Sequence, residues 1–303
     1  MKVTVLVTIH KGEKYLKELI DSLLNQTHKD LTIVLSNDCG DDECAVIMND
    51  YLKNYPEKIV VRFPNITGGA KAHFIYLIDE FKESDFIMLA DQDDVWLPDK
   101  VEKTLSLMLK GDTSRPRLVH TDAYLTDESL NVTADSFKKF ATIPKDISFN
   151  RLLAENIVQG ASAMINSALA KLAAPDDKNI VIHDWWLALI ASAVGEIAYL
   201  DEPTFYYRQH SENVIGALEK PKSFSYILRR LKSDVKNDIN KSRRQAASLL
   251  KRLENNIPED KAEAALLFSQ FENQSKFERI SVLNKQKIMP TSLLKKIKFI
   301  VWG

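Results

Sequence analysis

"VTVLVTIHKGEKYLKELIDSLLNQTHKDLTIVLSND", residues 3–38, is the stretch whose reading decides the fold. It opens on VTVLVTI (3–9), a β-branched run that reads as a strand. Leu16, Leu19, Ile20, Leu23 and Leu24 then recur at helical spacing within KYLKELIDSLLNQ (14–26), and LTIVLSN (31–37) returns to strand character. Further on, KIVVRF (58–63) and DFIMLAD (85–91) read as strands, with GGAKAHFIYLIDEF (68–81) as the helix between them. The order β-α-β-α-β-α-β, with near-continuous apolar strands, predicts a mostly parallel, Rossmann-like α/β sheet covered by helices on both faces. Ligands on such a sheet sit beyond the carboxyl ends of the strands. The polar clusters Thr8–Lys11, Asn37–Asp42 and Asp91–Asp94 all fall there.

Beyond this half, RLVHTDAYLTDESLNV (117–132) reads as a strand and turn, and NIVQGASAMINSALAKLA (156–173) as a strand or loop around Gly160 feeding a helix. HDWWLALIASAVG (183–195) predicts a buried helix ended by Gly195. EIAYLDEPTFYYRQH (196–210) reads as strands around a Glu202-Pro203 turn. From Phe224 the character changes to basic amphipathic helix, followed by two or three more helices. Two units are therefore expected, an α/β domain over 1–216 and a helical C-terminal extension over 217–303.

Charge follows the same division. Residues 216–303 hold 19 Lys+Arg against 9 Asp+Glu, a net +10, and the rest of the chain stands at −11. A basic tail suits an anionic surface, a dimer interface, or simply solvated helix faces. The run TSLLKKIKFIVWG (291–303) mixes Leu293, Leu294, Ile297, Phe299, Ile300, Val301 and Trp302 with three lysines, which suits a membrane interface or a packing helix. With only two cysteines, Cys39 and Cys44, five apart in a polar segment, neither a disulfide framework nor a zinc site of four protein ligands is expected. The first residues lack a secretory pattern, and no apolar run reaches the roughly 20 residues that span a bilayer, so a cytoplasmic protein, or one at the inner face of the membrane, is expected.

LADQDDVWLPDK (89–100) holds the densest acid cluster. Asp91 and Asp93 are alternate residues at a strand end, so in an extended chain both carboxylates point one way and can share a cation. Oxygen donors select Mg²⁺ or Mn²⁺, and a cation with few protein ligands completes its shell with phosphates. Taken alone, the same Asp-x-Asp also reads as a solvated turn.

In their order and spacing, VTIHKGEKYL, SNDCGDD, NITGGAKAHF, ADQDDVWLPDK, GASAM, HDWWL and YYRQHSENVIG resemble the inverting family 2 glycosyltransferases of the GT-A fold. More narrowly, over about residues 1–216 the chain is similar to bacterial rhamnosyltransferases that build cell-surface polysaccharide. The resemblance implies transfer of a sugar, above all L-rhamnose from dTDP-L-rhamnose, to a saccharide carried on a polyprenyl diphosphate lipid, with Mn²⁺ or Mg²⁺ as cofactor and no nucleic acid partner. A UDP-hexose or UDP-N-acetylhexosamine donor, or a non-catalytic nucleotide-sugar or glycan-binding module, is the alternative. A dehydrogenase is disfavoured because no G-x-G-x-x-G follows the first strand.

Residue by residue, the resemblance implies that Thr8 and Asp38 contact the nucleoside, Asp38 accepting the N3 proton of the base, with Asn37 standing where relatives have a first acid. Lys71, behind Gly68 and Gly69, and Arg208 would meet the diphosphate. Asp91 would contact ribose or metal, Asp93 would ligate the metal, and His210 would complete its shell. Asp184 would be the catalytic base, with His183 behind it; as the first acid of HDWW it reads equally as a helix cap. Trp96, Trp185 and Trp186 are candidates to stack on the acceptor sugar, or core residues.

Overall fold

The strands alternate their side chains between two cores, and helices close each core from outside. The structure, a computed structural model, describes residues 1–40, 42–66, 68–144, 147–210, 224–288, 290, 291, 297 and 299–301, the side chains of 224–238 and 255 apart. The first half runs β1 (Val3–Ile9), α1 (Glu13–Leu24), β2 (Leu31–Asn37), α2 (Glu43–Asn54), β3 (Ile59–Arg62), α3 (Gly69–Glu80) and β4 (Phe86–Asp91). Next come β5 (Val95–Trp96), α4 (Lys100–Met108), β6 (Arg117–Thr126), β7 (Val132–Ala134), α5 (Phe137–Phe140), α6 (Phe149–Ala154), β8 (Ala163–Asn166), α7 (Ser167–Ala173), α8 (His183–Val194) and β9 (Glu196–Arg208). The chain ends in α9 (Phe224–Leu253), α10 (Glu259–Ser269) and α11 (Lys276–Lys285).

Among the described residues one sheet has the order β3-β2-β1-β4-β8-β6-β9-β5, with β7 on β6. The predicted parallel order holds from β3 to β4. Beyond β4 the sheet is mixed, because β8 runs antiparallel to both β4 and β6. Leu6, Val34, Ile87 and Leu89 face one core, whereas Val5, Val7, Ile33, Leu35 and Met88 face the other. That division is the period-2 alternation of a strand buried on both sides. In α1, Leu16, Leu19, Ile20 and Leu23 cover the second core, as their spacing predicts.

Two expectations change. Residues 196–208 form one strand and not two, with the register against β6 slipping between Leu200 and Pro203; a proline without an N–H is accommodated where the ladder is already broken. The C-terminal helices also share the first core: Ala246, Leu249, Leu253, Ala264, Ala265 and Phe268 pack in one cluster with Trp186, Leu187 and Ile190. The reason lies in α8, which is apolar all round and has ten of its twelve residues buried, so it must be covered on every side.

Of the amphipathic run after Pro290, Leu293, Leu294, Lys295, Lys296, Lys298 and Trp302 lie outside the described residues, as does Asp41. Phe299 stacks on Phe268 with 6.0 Å between ring centroids, within the core. Ile297 and Val301 are exposed. Among the described residues no helix is long and apolar enough to cross a membrane.

Candidate active site

β1 lies between β2 and β4, where the strand order turns, and Thr8 pairs in register with Ser36 on one side and Asp91 on the other. This is the crevice that an open α/β sheet offers to a ligand. Thr8 and Asp91 are half-buried there, as their place at strand ends requires.

The chain does not stay extended past Asp91. It turns through Gln92 and Asp93, and the Asp94 N–H points back to the Asp91 carbonyl at 3.4 Å. The alternation expected of Asp91 and Asp93 is therefore replaced by a turn that carries Asp93 to the end of β9. There Asp93 Oδ2 meets His210 Nε2 at 2.8 Å. The pairing of Asp93 with His210, expected from 117 residues apart in sequence, is thus made by tertiary contact.

Asp91 is held up at about 7, first by burial and then by the charges of Asp93 and Asp184, with Lys100 acting the other way. Asp94 is 1% exposed, and burial, with the charges of Asp93 and Asp91 beside it, pushes it well above the usual carboxylate range. Its counter-charge is Lys100, which sequence reasoning passed over. Lys100 is fully buried, with Nζ 4.3 Å from the centroid of the Trp96 ring and 3.7 Å from that of Phe205, and it donates to the Ala161 carbonyl at 2.6 Å. Burial lowers it to about 7. The signal was available, since Lys100 shares the buried stripe of α4 with Thr104 and Met108 at intervals of four.

Asp184 sits in the first turn of α8. Its Oδ1 accepts from the Asn156 amide at 2.9 Å and its Oδ2 from the Gly160 N–H at 3.1 Å. The helix's own Trp185 N–H also donates to Oδ1, at 2.6 Å. Burial nevertheless raises its pKa to about 7, against the pull of those donors. His183 is buried against the Phe74 ring at 4.2 Å, and burial lowers it to about 3, which keeps it neutral. A side chain at Gly160 would place its Cβ 2.7 Å from His183 Nε2, so glycine there lets the loop close on the acid.

Five candidate residues are engaged by the protein itself. Trp96, Trp185 and Trp186 are all core residues, at 3%, 9% and 0% exposure. Trp185 donates its indole N–H to the Leu152 carbonyl and Trp186 to that of Ala173, so none presents a face to a sugar. Arg208, expected at the diphosphate, is buried over the Tyr15 ring and spends its guanidinium on Glu18, the Glu128 carbonyl and, at 2.9 Å, the Asp93 carbonyl. It therefore fixes the turn that carries Asp93. Lys71, also expected at phosphate, is engaged by both carboxylate oxygens of Asp176 at 2.9 Å.

Asp38 lies at the end of β2, with His10 Nδ1 2.7 Å from its Oδ1 and His73 Nδ1 3.8 Å from its Oδ2. Asn37, which stands in place of an acid, bonds to the Asp42 carboxylate at 2.7 Å and shapes the loop. Asp93 and His210 present carboxylate oxygen and imidazole nitrogen side by side, a donor set that fits Mn²⁺ or Mg²⁺ beside a phosphate.

The family described as "Glycosyl transferase family 2" matches residues 4–172. A dTDP-rhamnosyl transferase of Shigella flexneri, RfbG, is 28% identical over 218 residues, 69% of this chain and 73% of its own length. An uncharacterized glycosyltransferase of Methanocaldococcus jannaschii is 28% identical over 246 residues, 77% of this chain and 79% of its own. Among solved structures, the S. aureus TarS 1-349 complex with UDP superposes with a TM-score of 0.57 at 15% identity, covering 93% of this chain and 75% of that one. The mannosyltransferase PcManGT of Pyrobaculum calidifontis, in complex with GDP-Man and Mn²⁺, gives 0.54 at 13% identity, covering 99% and 85%. At these identities the structural likenesses speak for the fold.

Proposed function

The chain belongs to glycosyl transferase family 2, and from that premise we propose that it moves L-rhamnose from dTDP-L-rhamnose, with inversion, to a lipid-linked saccharide in the assembly of a bacterial surface polysaccharide. The reading is supported above all by the nearness of Asp93 and Asp184 to Asp91, whose carboxyl both of their charges push up. The rhamnosyl part draws support from the similarity to the Shigella transferase.

In this reading Thr8 and Asp38 receive the nucleoside and Asp91 the ribose. Asp93 and His210 would hold Mn²⁺ or Mg²⁺, whose charge when bound offsets that of the departing diphosphate. Arg208 keeps Asp93 at its post through the Asp93 carbonyl. Asp184 takes the proton of the acceptor hydroxyl as that oxygen attacks the anomeric carbon from the face opposite the leaving group. Burial and a pKa of about 7 suit Asp184 to that work, because a base poised near neutrality holds the proton well and is still largely free to take it. The basic residues of 217–303 would keep the enzyme near an anionic membrane, where a lipid-linked acceptor resides.

The test is incubation of the pure protein with Mn²⁺, a lipid-linked saccharide, and dTDP-rhamnose beside UDP-glucose and UDP-N-acetylglucosamine. Acceptor-dependent release of dTDP is expected. Release of UDP alone rejects the rhamnosyl reading, and release of neither rejects the donor assignment altogether.

A further inference from the structure

Two clamps at the carboxyl edge of β1 and β2 bring together Asp38 and two side chains to which sugar transfer gives no part, His10 and Cys39. Gln92 accepts from the His10 N–H at 2.8 Å and donates to the His10 carbonyl at 3.0 Å, which fixes the loop after β1. Gly12 makes room for it, since a Cβ there would lie 2.2 Å from Gln92 Oε1. On the other side, Asn37 Oδ1 accepts from the Cys39 N–H at 2.9 Å, and its amide donates to the Gly40 carbonyl at 3.2 Å. Together they set His10 Nδ1 2.7 Å from Asp38 Oδ1 and 3.1 Å from Cys39 Sγ, with Asp38 Oδ1 and Cys39 Sγ 3.7 Å apart.

An imidazole, a carboxylate and a thiol within 4.8 Å of one another form a ligand set. With Zn–S of about 2.3 Å and Zn–N or Zn–O of about 2.0–2.1 Å, neighbouring ligands of a tetrahedral zinc lie roughly 3.3–3.6 Å apart. The three edges found here bracket that range. His73, its Nε2 bonded to Ser36 Oγ at 2.7 Å, stands behind Asp38 Oδ2 and backs the carboxylate from the protein side. On the open side the His10 side chain is 65% exposed, which leaves room for water as a fourth ligand.

We propose that His10, Asp38 and Cys39 form a site for zinc or a similarly soft divalent cation, distinct from the Asp93–His210 site, and that its occupation withdraws Asp38 from the nucleotide. The second half rests on the reading of Asp38 as the base-binding carboxylate. The cation bonds to His10 Nδ1, an Asp38 oxygen and the Cys39 sulfur, and the thiol proton passes to solvent. Ligand softness separates the two sites: both hold a carboxylate and an imidazole, but the Cys39 thiolate favours zinc at one, whereas phosphate oxygen in its place favours Mg²⁺ or Mn²⁺ at the other.

Cobalt, a spectroscopic stand-in for zinc, tests this on the full chain in Mg²⁺ buffer. A thiolate-to-cobalt absorption band should saturate at one equivalent, disappear on adding Zn²⁺, persist in Cys44→Ser and vanish in Cys39→Ser. His10→Ala, at an exposed side chain, should weaken zinc binding at least about tenfold. Absence of the band, or its survival in Cys39→Ser, overturns the site. Zn²⁺ should also lower dTDP and UDP binding in the wild type but not in Cys39→Ser. A cysteine-dependent band without that competition leaves the cation site standing and overturns Asp38 as the base-binding residue.

Discussion

Asp184 accepts three hydrogen bonds, which favour its ionised form, yet burial prevails and raises it. Because the base must be ionised to accept a proton, transfer should rise with pH through about 7 and fall nearly tenfold per unit below it. A kcat profile flat from pH 5 to 8 would remove Asp184 from that role. Asp184→Asn should lower kcat by about 10²–10⁴-fold while leaving nucleotide binding in place, which calorimetry with dTDP can check. Lys100 is a residue-scale feature of another kind. Lys100→Met leaves Asp94 buried without the positive charge that faces it and should cost about 3–5 kcal/mol in urea unfolding. Adding Asp94→Asn should restore much of that loss, whereas an additive second loss would argue that the two do not act as a pair. The motifs in the sequence singled out Asp184, Asp93 and His210 as candidates, and the structure sets Asp93 beside His210. The commitment of Arg208 to Glu18 and Asp93 was not legible, because nothing local tells an arginine whether its partners come from a ligand or from a helix 190 residues away.

At the scale of elements, strand identity followed from short β-branched apolar runs closed by polar segments where both faces are buried, as in β1, β2 and β4, and helix identity from period where one stripe is apolar, as in α1. Pairing did not. The antiparallel β8 between β4 and β6 depends on which edge the chain reaches after a long excursion, and no residue pattern within AMIN encodes that. The end of α8 was legible, because Gly195 follows the last apolar turn. The structure adds a reason: a Cβ on Gly195 would stand 1.7 Å from the Pro116 carbonyl oxygen, where the chain leaves α8 beside the start of β6. Gly195→Ala should therefore displace backbone from backbone and cost about 3 kcal/mol, read as a lower midpoint in thermal or urea unfolding. An unchanged midpoint would show that this corner is free to move.

For the whole molecule, the division into 1–216 and 217–303 meets a shared core. Phe268, Leu249 and Ala264 pack in one cluster with Trp186 and Ile190, and Arg252 donates to the Ala174 carbonyl at 2.6 Å beyond the end of α7. A chain cut after residue 216 should bare the outer face of α8 and aggregate or lose cooperative unfolding; a soluble, cooperatively melting fragment would show the first unit to be independent. By itself the sequence determined the α/β order, the basic C-terminal helices and which acids fall at the carboxyl ends of the strands, because these rest on local periodicity and residue type. Only the tertiary structure decided that the three tryptophans are core, that Lys71 and Arg208 are held by protein partners, and that Asp93 reaches His210 through a turn. Each of those depends on which distant surface a side chain meets, and burial, unlike periodicity, is a property of the whole packed chain.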